Sequence, residues 1–198
     1  MSVFIILLAI ALWGAAHSIT ASHFFKDMVR GMVGRAGMRF YRLGYNAFSV
    51  VSFAPILYLA AALPDQPLYA VPAPWQYLML GGQLASAVLL LAALLQTDLL
   101  SFAGLSQLFV EEGQPGPLVT RGLYRLVRHP LYTFSLLFIW LTPVVSQNSL
   151  ALYAGATFYL LIGANFEERK LLRDFGEAYA EYKRNTPMLI PGLTFGKK

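Results

Sequence analysis

Cysteine is absent from the 198 residues, which excludes a disulfide framework, a thiolate metal site and a cysteine nucleophile. Charge is scarce as well. Asp, Glu, Lys and Arg make up 13% of the chain, about half the share in a soluble domain. No Lys or Arg precedes Lys26. The apolar N-terminal stretch therefore lacks the positive lead of a secretory signal, despite the small residues Gly14-Ala15-Ala16, and reads as a retained membrane helix. The three histidines, His17, His23 and His129, lack ligand-like spacing, so no metal is expected. The net charge of +5 does not point to nucleic acid, because the basic residues gather at the ends of apolar segments, as in cytoplasmic membrane loops.

What remains is apolar. Hydrophobic residues form 57% of the chain, and mean hydropathy is +0.56. Five stretches carry this character: Ser2 to Thr20, Leu43 to Leu63, Tyr77 to Leu95, Leu131 to Val145 and Leu150 to Ala164. The first three approach the ~20 residues a helix needs to cross a bilayer. The last two are shorter and are separated only by Ser146-Gln147-Asn148-Ser149, which predicts a tight hairpin. The expected fold is an all-α integral membrane bundle of about five transmembrane helices, in one domain over 1–198. Residues 1–97 hold three membrane helices, and 98–198 form the half with the candidate chemistry.

Charge placement predicts the orientation. Lys26, Arg30, Arg35, Arg39 and Arg42 follow the first stretch, and Arg121, Arg125 and Arg128 follow the third. The loop from Pro64 to Pro74 and the hairpin turn have no basic residue. Alternating crossings put every Lys and Arg on one side, the cytoplasm, with the N-terminus outside and the C-terminus inside. Gly113-Gln114-Pro115-Gly116-Pro117 marks a turn on that inner side. From Asn165 to Lys183, Glu168, Leu172, Phe175, Tyr179 and Tyr182 recur at helical spacing. This predicts a cytoplasmic C-terminal helix, ended by Pro187 and Pro191.

The polar chemistry concentrates in RGLYRLVRHPLYT, residues 121–133. Pro130 suits the first position of a helix, which places Arg128 and His129 at a helix start that favours an anion. The same arginines also suit anchoring to lipid phosphates. Glu167-Glu168 ends the fifth stretch; these acids do little for orientation, and either pair with Arg128 or Arg125 or hold a cationic ligand. Tyr124, Tyr132, Tyr179 and Tyr182 suit a pocket for a flat base or a cation, and equally an interfacial belt. Asp98, alone after the third stretch, reads as a local cap or pair. His17-Ser18, with Tyr41, Tyr45 and Asn46, is polar at or near membrane depth.

Gly122, Tyr124, Arg128-His129-Pro130 and Tyr132, followed by Glu167-Glu168, Phe175-Gly176, Tyr179, Tyr182 and Pro187…Ile190-Pro191, resemble the C-terminal half of the isoprenylcysteine carboxyl methyltransferase superfamily. That superfamily includes phospholipid N-methyltransferases and methanethiol S-methyltransferase-like proteins. His17-Ser18…Tyr41-Arg42-Leu43…Tyr45-Asn46 is similar to the N-terminal half of the bacterial methanethiol-type branch. The resemblance implies S-adenosylmethionine as cofactor, bound by Tyr124, Arg128, His129, Pro130, Tyr132, Glu167 and Glu168. It implies catalytic roles for Glu167, Glu168 and Arg128, and an acceptor lined by Tyr179 and Tyr182. Methyl transfer from a sulfonium needs alignment and desolvation more than a covalent nucleophile, so the missing cysteine is no obstacle. The acceptor stays open among a small thiol, a carboxylate and an amine, small or lipid-like. The expected setting is a bacterial or archaeal plasma membrane, with membrane lipid as a partner. Phe134 departs from the family pattern, which commonly has glycine there. Two other readings stand beside this one: an NADPH-dependent membrane reductase of the sterol-reductase type, and a non-catalytic assembly or regulatory factor.

Overall fold

A computed structural model describes residues 1–109 and 117–193. Gly113 to Gly116 of the expected turn lie outside the described residues. The elements are α1 (Ser2–Ala21), α2 (His23–Met38), α3 (Tyr41–Ala62), β1 (Pro67–Ala70), α4 (Trp75–Leu95), α5 (Leu99–Ala103), α6 (Pro130–Trp140), β2 (Val144–Ser146), α7 (Gln147–Phe175) and α8 (Glu177–Asn185). Short 3₁₀ turns cover Ser106–Leu108 and Gly122–Arg125. The all-helical expectation holds apart from the two short strands. All five apolar stretches become helices, but only four, α1, α3, α4 and α7, are long and apolar enough to cross a membrane. The 11-residue α6 is about 16 Å long.

Two expectations are corrected. The basic segment after the first stretch is a helix, α2, rather than a loop. Ser22 caps it by accepting from the Phe25 N–H at 3.2 Å. Its basic residues mark topology, and the apolar residues between them, at helical spacing, mark the helix. The tail is also different from a single helix over 165–183. Helix α7 runs unbroken to Phe175, and the chain then turns at Gly176 (φ +55°) before α8. That left-handed backbone is one glycine adopts without steric cost.

The structure divides into two compact units. Of the described residues, the first comprises 1–68, 99–109 and 146–156. Its core is Ile6, Ile10, Ile56 and Ala151. Between helices with lipid outside, such contacts stabilise through close packing and interhelical hydrogen bonds, since lipid is as apolar as the core. The Trp13 indole donates to Ser52 at 3.0 Å, and Trp13 stacks on His17, whose Nε2 lies 2.7 Å from the Tyr45 hydroxyl. His17, near the end of α1, is thus held by an aromatic and a phenol. Asn46 donates to the carbonyls of Phe102 and Ala103 at 3.0 and 2.9 Å. At the opposite end of α3, buried Asn148 donates to the Leu63 carbonyl at 3.1 Å, and the Asp65 carboxylate accepts from the Asn148 N–H at 3.0 Å. This caps α7, where a negative charge is favoured.

Of the described residues, the second unit comprises 69–98, 117–145 and 157–193, and it contains every candidate site residue from Tyr124 onward. Here α6 lies antiparallel to α4. At one end, the Gln96 side chain accepts from the Leu123 N–H at 2.8 Å. Further along, Gln83 donates to the Phe138 carbonyl at 2.8 Å, and the Val71 N–H bonds to the Pro143 carbonyl at 2.9 Å. The chain from Leu123 to Pro143 therefore travels the whole length of α4, although only its middle is α-helical. Trp140 donates to Thr157 at 3.0 Å, tying α6 to α7.

Gly122 sets the entry to this segment. Its φ is +62°, and a Cβ there would come within 2.2 Å of the Gln96 Oε1 that accepts from Leu123. Gly122→Ala is expected to lower stability by about 1–2 kcal/mol. Gly44→Ala, where a Cβ meets nothing within 4 Å, should not. Thermal unfolding of both variants in the same detergent checks this.

Candidate active site

The site is built where three segments of the second unit meet: the start of α6, the last turns of α7, and α8 with the extended chain after it. His129 is the N-cap of α6 and Pro130 its first residue. The ring of Pro130 fixes the first helical φ and lacks an N–H that would have had no partner there. Glu167 and Glu168 lie on α7, two turns before the break at Gly176.

Glu168 is the centre. It is buried at 4% exposure and accepts from the Arg128 Nε at 2.7 Å. Lys183 reaches it at 2.7 Å, and the His129 Nε2 stands 3.4 Å away. Arg128 is used up in this arrangement. Besides Glu168, it donates from Nη1 to the Lys183 carbonyl at 3.1 Å and to the Thr186 carbonyl. Of the partners the sequence reading left open for the glutamates, the structure selects Arg128 with Glu168. Arg121 and Arg125 remain exposed.

Glu167 is different. Its side chain is 44% exposed, and its Oε2 accepts from the Tyr132 hydroxyl at 2.7 Å, with His129 Nδ1 at 3.5 Å. The Tyr132 and His129 rings stack in parallel, 5.2 Å apart. One carboxylate is locked in the interior and its neighbour faces outward, a division of labour that adjacency in sequence does not show. Phe134 follows Tyr132 by two residues, so it projects from another side of α6.

The chain after α8 straps the site together. The backbone N–H groups of Arg128 and His129 donate to the carbonyls of Pro187 and Met188 at 2.8 and 3.1 Å, and the Thr133 hydroxyl donates to Leu189 at 2.8 Å. The Tyr182 hydroxyl donates to the Tyr124 carbonyl. Lys183, Thr186 and this strap are not among the residues the sequence points to. The signal was present in Pro187 and Pro191, since a segment barred from helix must satisfy its carbonyls elsewhere.

Burial works against a charge on His129, but the carboxylates of Glu167 and Glu168 overcome it and raise its pKa above the ordinary 6.5. Burial pushes Tyr124 up to about 12, aided by the Glu167 charge. Tyr182 is likewise pushed up to about 12, chiefly by burial. Tyr179 is raised by burial and then by Glu168. These phenols are therefore protonated donors at neutral pH, not phenolate bases. Two buried polar atoms here have no hydrogen-bond partner among the described residues, His129 Nε2 and the Tyr179 hydroxyl. The 3.4 Å approach of Nε2 to Glu168 is an ion-pair distance without hydrogen-bond alignment.

The profile of the family described as "NnrU protein" matches residues 5–190. Methanethiol S-methyltransferase 2 of Bradyrhizobium diazoefficiens is 30% identical over 198 residues, covering 94% of this chain and 72% of that protein. Methanethiol S-methyltransferase of Pseudomonas deceptionensis is 41% identical over 78 residues, covering 39% of this chain and 30% of that protein. Protein-S-isoprenylcysteine O-methyltransferase B of Arabidopsis thaliana is 34% identical over 77 residues, 37% of this chain and 39% of that protein. No solved structure matches. The resemblance to the isoprenylcysteine carboxyl methyltransferase superfamily is borne out by these relatives.

Two outcomes follow from the geometry. Removing one partner of a buried ion pair costs about 3–5 kcal/mol, so Glu168→Ala is expected to destabilise by that order, and Glu167→Ala, half-exposed, by far less. Denaturation in detergent measures both. His129 carries a raised pKa, so its contribution to stability is complete below about pH 6.5 and is lost as pH rises through its folded value. The difference in melting temperature between the wild type and His129→Gln should therefore shrink as the pH is raised above 6.5. A difference that stays constant would contradict the assignment.

Proposed function

The chain belongs to the NnrU protein family, and from that premise we propose that it is an S-adenosylmethionine-dependent membrane methyltransferase. The observation that carries the reading is a buried donor without an acceptor, the Tyr179 hydroxyl, beside the outward-facing Glu167 carboxylate. A donor in want of an acceptor suits a carboxylate, and a half-exposed carboxylate suits an ammonium group. Together they match the amino-acid end of the cofactor. The stacked Tyr132 and His129 rings, and Tyr124, offer flat surfaces for its base. Arg128, spent on Glu168 and the strap, is a positioning residue in this reading rather than a ligand. When bound, the cofactor supplies an electrophilic methyl group on a sulfonium.

The protein's part is to bind, orient and exclude water. Arg128, Glu168, Lys183 and the strap carbonyls hold the start of α6 against the tail. Tyr132 and His129 hold Glu167 in place for the cofactor's ammonium group. Tyr182, whose hydroxyl is given to the Tyr124 carbonyl, lines the acceptor side with its ring. Among acceptors a small thiol is favoured, because three of the relatives' alignments reach more than 40% identity with proteins named methanethiol S-methyltransferases. The thiolate is the attacking form, and a small thiol gives up its proton to water before it enters the site. The length match between α4 and the chain from Leu123 to Pro143 supports five crossings. In this reading the basic segments lie inside, the N-terminus outside and the site at the cytoplasmic face of the plasma membrane.

The test uses purified full-length protein in detergent. S-adenosylmethionine should raise the melting temperature and NADPH should not. Labelled cofactor should deliver its methyl group to a small alkanethiol in preference to a prenylcysteine analogue or an amine headgroup. Tyr179→Phe separates the reading from mere stability. It removes a buried hydroxyl that has no partner, so the unliganded protein should be as stable or more so, whereas cofactor affinity should fall about tenfold with the lost hydrogen bond. Unchanged affinity would remove Tyr179 from the cofactor site.

A further inference from the structure

Helix α2 has a surface that the methyltransfer site does not use. It is continuous from His23 to Val33 and breaks at Gly34. Over that span most of its residues sort into two faces, with Val33, 49% exposed, falling on the basic side. Phe24, Met28 and Met32, spaced by four, form a single stripe. They are exposed by 79, 45 and 78%. Phe25 and Val29, beside that stripe, are partly buried. Lys26 and Arg30, also four apart, lie on the other side, and exposed Arg35 follows the break. Asp27 is the acid among them, and Arg30 bonds to it at 3.0 Å. Lys26 stands 6.0 Å from the centre of the Tyr41 ring.

Two features of the chain decide what covers the apolar stripe. First, α2 is joined at both ends to helices able to cross a membrane, with only Ser22 before it and Arg39 and Phe40 after it. Such short joints hold the helix at the bilayer surface, so its apolar stripe has acyl chains within reach. Second, the polar face is basic. A second copy of this helix would bring like charges together, whereas an anionic lipid surface would meet opposite ones.

The geometry points to α2 as an in-plane amphipathic helix that binds anionic phospholipid, with Phe24, Met28 and Met32 seated among the acyl chains and Lys26, Arg30 and Arg35 on the headgroup phosphates. The assignment is independent of the methyl-transfer reading, because it rests on residues outside that site. Hydrogen exchange of the full-length protein in nanodiscs tests it, comparing phosphatidylcholine alone with phosphatidylcholine containing phosphatidylglycerol. The amides of residues 23–33 should exchange roughly tenfold more slowly in the anionic discs. The Lys26→Glu/Arg30→Glu variant should abolish that difference, and Met28→Ser/Met32→Ser should speed exchange in both lipids. If the first variant does not fold, Arg35→Gln, beyond the helix break, should reduce the difference. Equal exchange in the two lipids, a lipid difference that survives the charge variants, or no response to the serine variant would overturn the proposal. So would protection in detergent that grows with protein concentration, since it would show a second copy covering the stripe.

Discussion

A carboxylate carried out of water must find its counter-charges close at hand, and Glu168 finds them in three places. Arg128 comes from the entry to α6, Lys183 from α8, and His129 from the cap of α6. The desolvation cost of such a group is large, and neutral surroundings would not offset it. The pairing therefore obliges α7, α6 and α8 to meet at one point. The rest of the site follows from that meeting. Arg128 is turned so that its remaining donors reach the Lys183 and Thr186 carbonyls, and the strap from Thr186 to Leu189 is drawn along the backbone of Arg128 and His129.

This explains why two adjacent glutamates have unlike properties. On a helix, neighbouring residues point about 100° apart. With Glu168 turned into the ionic centre, Glu167 is turned toward the outside and held by Tyr132 and His129. The buried member fixes structure, and the half-exposed member is open to a ligand. His129 links the two, with one ring nitrogen toward each carboxylate, and its stacking on Tyr132 joins the polar centre to a flat aromatic surface.

Much of the scaffold could be read from residue order. The absence of charge from Pro130 to Phe166 and the clustering of Lys and Arg outside the apolar stretches reflect the cost of charge in hydrocarbon. Such a cost acts on each residue by itself, so it leaves a mark in sequence. The same holds for Pro130 at a helix start and for the family pattern from Gly122 to Pro191. Helix α2 escaped notice because its helical spacing is interleaved with basic residues, which dominate a reading aimed at topology. The break at Gly176 escaped because a glycine in a helical run can be either tolerated or a stop, and only the φ of +55° distinguishes them.

By itself, the sequence determined that the chain is apolar and helical, where its membrane segments lie, and which polar residues were candidates for chemistry. These are local matters of transfer free energy and backbone preference. Tertiary structure alone decided that Glu168 rather than Glu167 is buried, that Arg128 is consumed in holding the site, and that Lys183 and the strap belong to it. The partners in those contacts lie 15 to 58 residues apart, and the direction in which each side chain turns is set by which opposite charge it meets once the segments have packed.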